Sequence, residues 1–211
     1  MRCGQLPAGL ISSAAGASRR LRLRRHVPLA RIALASPARE LILCDARKWP
    51  EYAPVPLGAD PSDDHELVAA LAASFPEFRT LLYYRLSTSG DAKVKALLPA
   101  LRRIWRPHRT LRFYPRSLGP GCFILHGYST GVVARSIGAN FVVGQHVVIG
   151  FKAAGEAPII GDDVSVYVGA IVVGDITIGN GAVIGAGTVV VKDVPAGAVM
   201  VGPAARQLEP R

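Results

Sequence analysis

Residues 159–194 read IIGDDVSVYVGAIVVGDITIGNGAVIGAGTVVVKDV, and this stretch decides the fold. Positions 160, 166, 172, 178, 184 and 190 hold Ile, Val, Val, Ile, Ile and Val. Four residues after each stand Val164, Ala170, Ile176, Ala182, Thr188 and Val194. A period of six is neither the 3.6 of a helix nor the alternation of a hairpin. It predicts stacked short strands, with one large apolar side chain per flat face turned inward and small residues at the corners. Coils stacked this way bury one continuous core, each touching only its neighbours.

The same phase extends upstream through Ile137, Val143 and Ile149, each followed by Gly, and through the pair Leu118 and Ile124. It slips around Thr130–Ser136 and again at Phe151–Pro158. The second slip, Lys152-Ala153-Ala154-Gly155-Glu156-Ala157, reads as a loop leaving the stack, and loops on rigid scaffolds commonly carry function. Before the repeats, Asp63 and Glu66 are spaced as a capping box for the run Leu67–Phe75. Pro76 suits a first helical turn. Phe78, Leu81, Leu82 and Leu86 follow amphipathic spacing. A further helix is expected from Asp91 to Trp105, closed by Pro107. Tyr83, Tyr84 and Trp105 are expected to pack against the neighbouring domain. The organisation expected is therefore mainly β: a disordered basic tail over residues 1–38, an α-helical region over 39–110, and a β-helix over 111–208.

Of the net charge of +10, eight charges come from arginines in residues 1–39, which hold no lysine and no acid before Glu40. The basicity thus reads as a property of the tail, and residues 110–211 show no basic aromatic surface for nucleic acid. The arginines follow the weakly apolar first residues, the wrong order for a secretory signal. An organelle transit peptide, a disordered tail and an early start remain open, the last two favoured. Deleting residues 1–38 is expected to leave assembly and activity intact. Cys3, Cys44 and Cys122 show no paired spacing, which fits a reducing, cytoplasmic setting. No run of 18 apolar residues exists; residues 164–191 are apolar but interrupted by Gly169, Gly174, Gly179, Gly181, Gly185 and Gly187.

The motifs Ile178-Gly179-Asn180-Gly181-Ala182-Val183 and Ile184-Gly185-Ala186-Gly187-Thr188-Val189, with Lys192-Asp193-Val194-Pro195 and Val201-Gly202-Pro203-Ala204-Ala205-Arg206, resemble the hexapeptide-repeat transferases. Within them the chain is similar to serine acetyltransferases and their relatives encoded with surface-polysaccharide genes. Leu125-His126-Gly127-Tyr128-Ser129-Thr130-Gly131 resembles that family's catalytic histidine motif, and Phe78–Leu86 its preceding helical region. The resemblance implies a left-handed parallel β-helix, a homotrimer with active sites between subunits, and acetyl-CoA lying along the coils as co-substrate. It also implies His126 as general base, with Val168, Gly169, Ala186 and Gly187 in the CoA groove and Lys192 and Arg206 near its phosphates. For the groove residues and the two cations, plain corner and solvated-surface roles weigh equally.

An imidazole can take the proton of a hydroxyl as it attacks a thioester, and backbone N–H groups near Gly127 or Gly169 could hold the oxyanion. His146 reads as a surface residue, His65 as helical and exposed, His108 as a linker residue, and His26 as part of the tail. No metal ligand set is expected, and three zinc histidines of the β-helical carbonic anhydrase kind are not found. Asp162, Asp163 and Asp175 read as turn caps. Three positions depart from the serine pattern. Leu125 stands where the family has an acid, Ala157 where it has a second histidine, and Leu111–Pro115 lacks the upstream acid. The expected function is acetyl transfer from acetyl-CoA to serine, with a sugar hydroxyl of a surface glycan as the alternative acceptor. A non-catalytic trimeric scaffold is the alternative of another class.

Overall fold

The computed structural model describes residues 8–54, 56–153 and 155–202. Among the described residues five α-helices come first: α1 (Ala8–Leu34), α2 (Arg39–Lys48), α3 (Asp64–Ser74), α4 (Pro76–Thr88) and α5 (Ala92–Ile104). Thirteen strands of two or three residues follow: β1 (Arg112–Phe113), β2 (Phe123–Ile124), β3 (Gly131–Val132), β4 (Ser136–Ile137), β5 (Val142–Val143), β6 (Val148–Gly150), β7 (Ile159–Ile160), β8 (Ser165–Val166), β9 (Ile171–Val173), β10 (Thr177–Ile178), β11 (Val183–Ile184), β12 (Val189–Val190) and β13 (Val199–Met200).

All strand pairs are parallel, and they form three flat sheets ordered β1-β3-β6-β9-β12, β4-β7-β10 and β2-β5-β8-β11-β13. The chain visits the sheets in rotation, so each circuit adds one rung to each. The periodic residues are the rungs' inward side chains. Phe113, Val132, Ile149, Val172 and Val190 stack on the first sheet. Leu118, Ile137, Ile160, Ile178 and Val194 stack on the second, its ends supplied by single bridges. Ile124, Val143, Val166, Ile184 and Met200 stack on the third. Together they make one buried core. At the corner between the second and third sheets, close stacking demands glycine: a Cβ on Gly138 would lie 2.6 Å from the carbonyl carbon of Gly161.

Both phase slips are local changes in corner length. Ile124 to Val132 takes eight residues where Val143 to Ile149 takes six, so the turn holding His126 is two residues longer than its counterpart one coil below. Val132 to Ile137 then takes five, one fewer than Val172 to Ile178. The loop before Ile159 lengthens the same corner in the next coil.

The helices cap the first coil. Asp63 accepts hydrogen bonds from the backbone N–H of His65 and Glu66, and so starts α3; Glu66 reaches Asp60 instead of closing the expected box. Asp91 caps α5 in the same way. Arg85 on α4 and Asp45 on α2, both buried, form a two-pronged ion pair at 2.7 and 2.9 Å. Arg85 also donates to the carbonyls of Leu118 and Gly119, and Asp45 accepts from the N–H of Cys122. That pair ties the helices to the first coil. Trp49 adds ring contacts to Phe75, Phe78 and Phe123 at about 5 Å. Tyr84 packs edge-on against Phe113 as expected, whereas Tyr83 and Trp105 pack within the helical region.

The N-terminal segment differs from the disordered tail expected over residues 1–38. Residues 8–34 are helical, and Leu29, Ala30, Ala33 and Leu34 are buried. Their partner is α3, in which Leu67 through Ala72 are all buried, so α3 needs cover on every side. Residues 1–7, with Cys3, lie outside the described residues. Cys44 is an exposed free thiol, and burial pushes the Cys122 thiol well up.

Candidate active site

His126 sits on the lengthened turn, exposed, with a left-handed backbone (φ 62°) that histidine tolerates better than most side chains. Gly127 follows with φ 41°, and a Cβ there would lie 2.9 Å from Cγ of Glu77, so glycine lets the turn settle on α4. Ser129, also left-handed, begins a ladder down one edge of the solenoid. The N–H of His146 donates to the carbonyl of Tyr128, that of Gly169 to Gln145, and that of Gly187 to Val168. Ser129, His146, Gly169 and Gly187 thus stack at one corner, all left-handed.

The structure therefore brings together most of the residues singled out from sequence. Val168, Gly169, Ala186 and Gly187 lie on the same edge as His126, on the β9 and β12 side. Val168, Ala186 and Gly187 are exposed, and a Cβ on Gly187 would meet nothing within 4 Å. Lys192 is exposed but stands at the next corner, beyond β12, so it does not join this group. Arg206 lies outside the described residues. Ala157 is buried and lies in the loop at that other corner. Asp162 and Asp163 bind the Ala139 N–H and the Asn140 side chain, and Asp175 pairs with Arg135, all structural tasks. Among the described residues no three His, Cys, Asp or Glu side chains are grouped to hold a metal.

The floor beneath the turn was not visible in the sequence. His108, read there as a linker residue, is buried, with Nε2 3.6 Å from Oε1 of buried Glu77. Its Nδ1 accepts from the N–H of Thr110 at 3.3 Å, which leaves Nε2 to carry the proton toward the carboxylate. The His108 ring stands edge-on to Tyr128 at 4.9 Å, and Thr110 Oγ1 accepts from the N–H of Ser129. Glu77, His108 and Thr110 together support the turn from below. His146, one coil down at the same corner, is also exposed.

A histidine raised on a lengthened corner, at the head of a glycine-bearing edge of a hexad-built solenoid, is the arrangement of the hexapeptide-repeat fold class. The comparisons make this more particular. No protein-family model matches the chain. The serine acetyltransferase of Helicobacter pylori is 32% identical over 143 residues, covering 64% of this chain and 82% of that one. That of Bacillus pumilus is 46% identical over 92 residues, 41% of this chain and 42% of the other. The solved Neisseria gonorrhoeae serine acetyltransferase in complex with serine superposes with a TM-score of 0.59 at 25% identity, covering 88% of this chain and 82% of that one. The chain belongs to the serine acetyltransferase family, and its coil is the left-handed parallel β-helix. It spans about half the length of the first curated relatives it matches.

Proposed function

We propose that this chain transfers an acetyl group from acetyl-CoA directly to the hydroxyl of serine, with His126 as general base. The observation that carries the reading is the placement of His126 at the head of the Gly169–Gly187 edge. The imidazole takes the hydroxyl proton as the oxygen attacks the thioester carbonyl, and returns it to the departing CoA thiolate. A backbone N–H of the turn or edge holds the transient oxyanion, and no covalent enzyme intermediate is needed. Val168, Gly169, Ala186 and Gly187 hold the pantetheine arm. Lys192 and Arg206 remain candidates for the CoA phosphates.

The assembly proposed is a homotrimer. Its support is the outer side of the first sheet, where Val148, Ile171 and Val189 stand in register, all exposed. An exposed apolar stripe of this kind marks a contact surface. The setting proposed is the cytoplasm. None of the described helices is long and apolar enough to cross a membrane.

A sugar hydroxyl is the second reading of the acceptor, favoured by Leu125 and Ala157, which cannot hold an amino acid as an acid and a histidine would. CoA release, measured with serine and with a panel of sugars, separates the two. Release with serine supports the first. Release with a sugar alone overturns it, and no release with any acceptor returns the chain to the scaffold reading.

A further inference from the structure

The Arg-rich N-terminal segment finds its place in the folded molecule, where it meets arginines from two other regions. A cavity of about 550 Å³ is lined by Arg22, Arg25 and His26 of α1, Arg79 of α4, and Trp105 and Arg106. A second, of about 660 Å³, shares Arg79 and Arg106 and continues past His108 and Arg109 to Tyr128. Adjoining at these shared arginines, the two make a trough that reaches Tyr128, two residues past His126. It lies on the β1 side of the His126 turn, whereas Gly169 and Gly187 lie on the other.

None of Arg22, Arg25, Arg79, Arg106 and Arg109 joins an ion pair among the described residues. Glu77 is felt at Arg79, but its carboxylate is buried against His108. Arg79 is held in place: its Nε donates to the carbonyl of Arg106 at 2.7 Å and its Nη1 to that of Ala72, while its Nη2 has no hydrogen-bond partner among the described residues. Trp105 fixes α1 by donating to the carbonyl of Arg25 at 2.9 Å. Burial pushes His26 below its ordinary value, its hydrogen bond to the Arg22 carbonyl opposes this, and the Arg79 and Arg25 charges add to the lowering.

Five unpaired guanidinium groups within one trough repel one another, and an anion removes that cost. Guanidinium forks suit phosphate oxygens, which they bind in pairs of hydrogen bonds. Each cavity also falls in the range of about 300–1,000 Å³ that holds ligands much larger than serine. A second copy of this basic face is the wrong partner for it. We infer that the trough binds a phosphate-bearing small molecule, a nucleotide or phosphorylated sugar, on the acceptor side of the His126 turn. That it faces the acceptor rests on the proposed role of His126; that it binds phosphate does not.

Titration calorimetry of the full chain at physiological salt, with pyrophosphate and uridine diphosphate as probes, tests the site without requiring catalysis. Arg106 and Arg109 are exposed, so their joint replacement by alanine spares the fold. The expected result is saturable binding that persists with CoA present, weakened about tenfold or more in Arg106→Ala/Arg109→Ala and unchanged in Arg103→Ala. Absence of saturable binding, equal weakening in Arg103→Ala, or loss of binding on adding CoA overturns the inference. UDP-glucose, offered with acetyl-CoA, then separates the two sources of such a ligand. An acetylated product makes it the acceptor. A changed rate of serine-dependent CoA release without that product makes it an effector, and either result supports the phosphate site. Neither an acetylated product nor a changed rate overturns its placement beside the acceptor.

Discussion

His126 is presented by its neighbours more than by its own contacts. The turn stands two residues proud of the coil below and rests on Glu77, His108 and Thr110. Glu77→Ala is expected to remove the floor under Gly127 and lower kcat about 10–100-fold, since an ångström of misplacement costs that much. Glu77→Gln keeps the volume and is expected to restore most of that loss, with KM little changed in either variant. Equal losses in kcat for both would assign the effect to charge instead of support. Gly127→Ala meets both a positive φ and Glu77, so a loss of about 1–3 kcal/mol of stability is expected in urea titration. The histidine motif could be read from sequence because its residues are contiguous. The Glu77–His108 pair could not, because the two are far apart in the chain and joined by no periodicity. The phase slip near Thr130 was the one trace of the raised turn, although it could not say on which side of Gly131 the extra residues fell.

At the scale of elements, the inward columns were legible almost to the residue, because one large apolar side chain per rung repeats at a fixed interval. Helix α1 was not. Its segment has no acids, is rich in arginine, and its described buried residues, Leu29, Ala30, Ala33 and Leu34, are confined to its last turns, which gives little amphipathic signal. The reason it folds lies in α3, whose buried run from Leu67 to Ala72 needs a covering surface. The expectation that residues 1–38 are dispensable is therefore reversed. Their deletion uncovers α3 and takes away buried Leu29 and Leu34, at about 3–5 kcal/mol. A lowered urea midpoint in the truncated chain checks this; an unchanged midpoint would mean that α1 is only loosely attached. The Asp45–Arg85 pair is the other junction. Asp45→Ala strands a buried guanidinium and is expected to cost about 3–5 kcal/mol in the same assay.

In the whole molecule, two of the arginines that read as a tail's property, Arg22 and Arg25, join Arg79, Arg106 and Arg109 near the His126 turn, while the solenoid presents a glycine-bearing edge and an apolar stripe on its first sheet. On the proposed roles, this division would give the two reactants separate approaches to one imidazole. It also predicts how the subunits meet. Ile171→Arg places a charge in the middle of the Val148–Ile171–Val189 stripe, and sedimentation is expected to show monomers in place of trimers, with the helical content unchanged. A trimer that survives this change would mean that another surface carries assembly. The proposed sites between subunits add that activity should fall with the trimer.

The central claim is that His126 is the base in acetyl transfer. Its most direct test is serine-dependent CoA release by wild type and His126→Ala at matched concentrations, with sedimentation on the same samples. The account predicts a rate lower by about 10²–10⁴ in the variant, equivalent to about 3–5 kcal/mol of barrier, and an unaltered assembly. A variant that releases CoA at the wild-type rate, or one that loses activity only because it no longer folds, would contradict it.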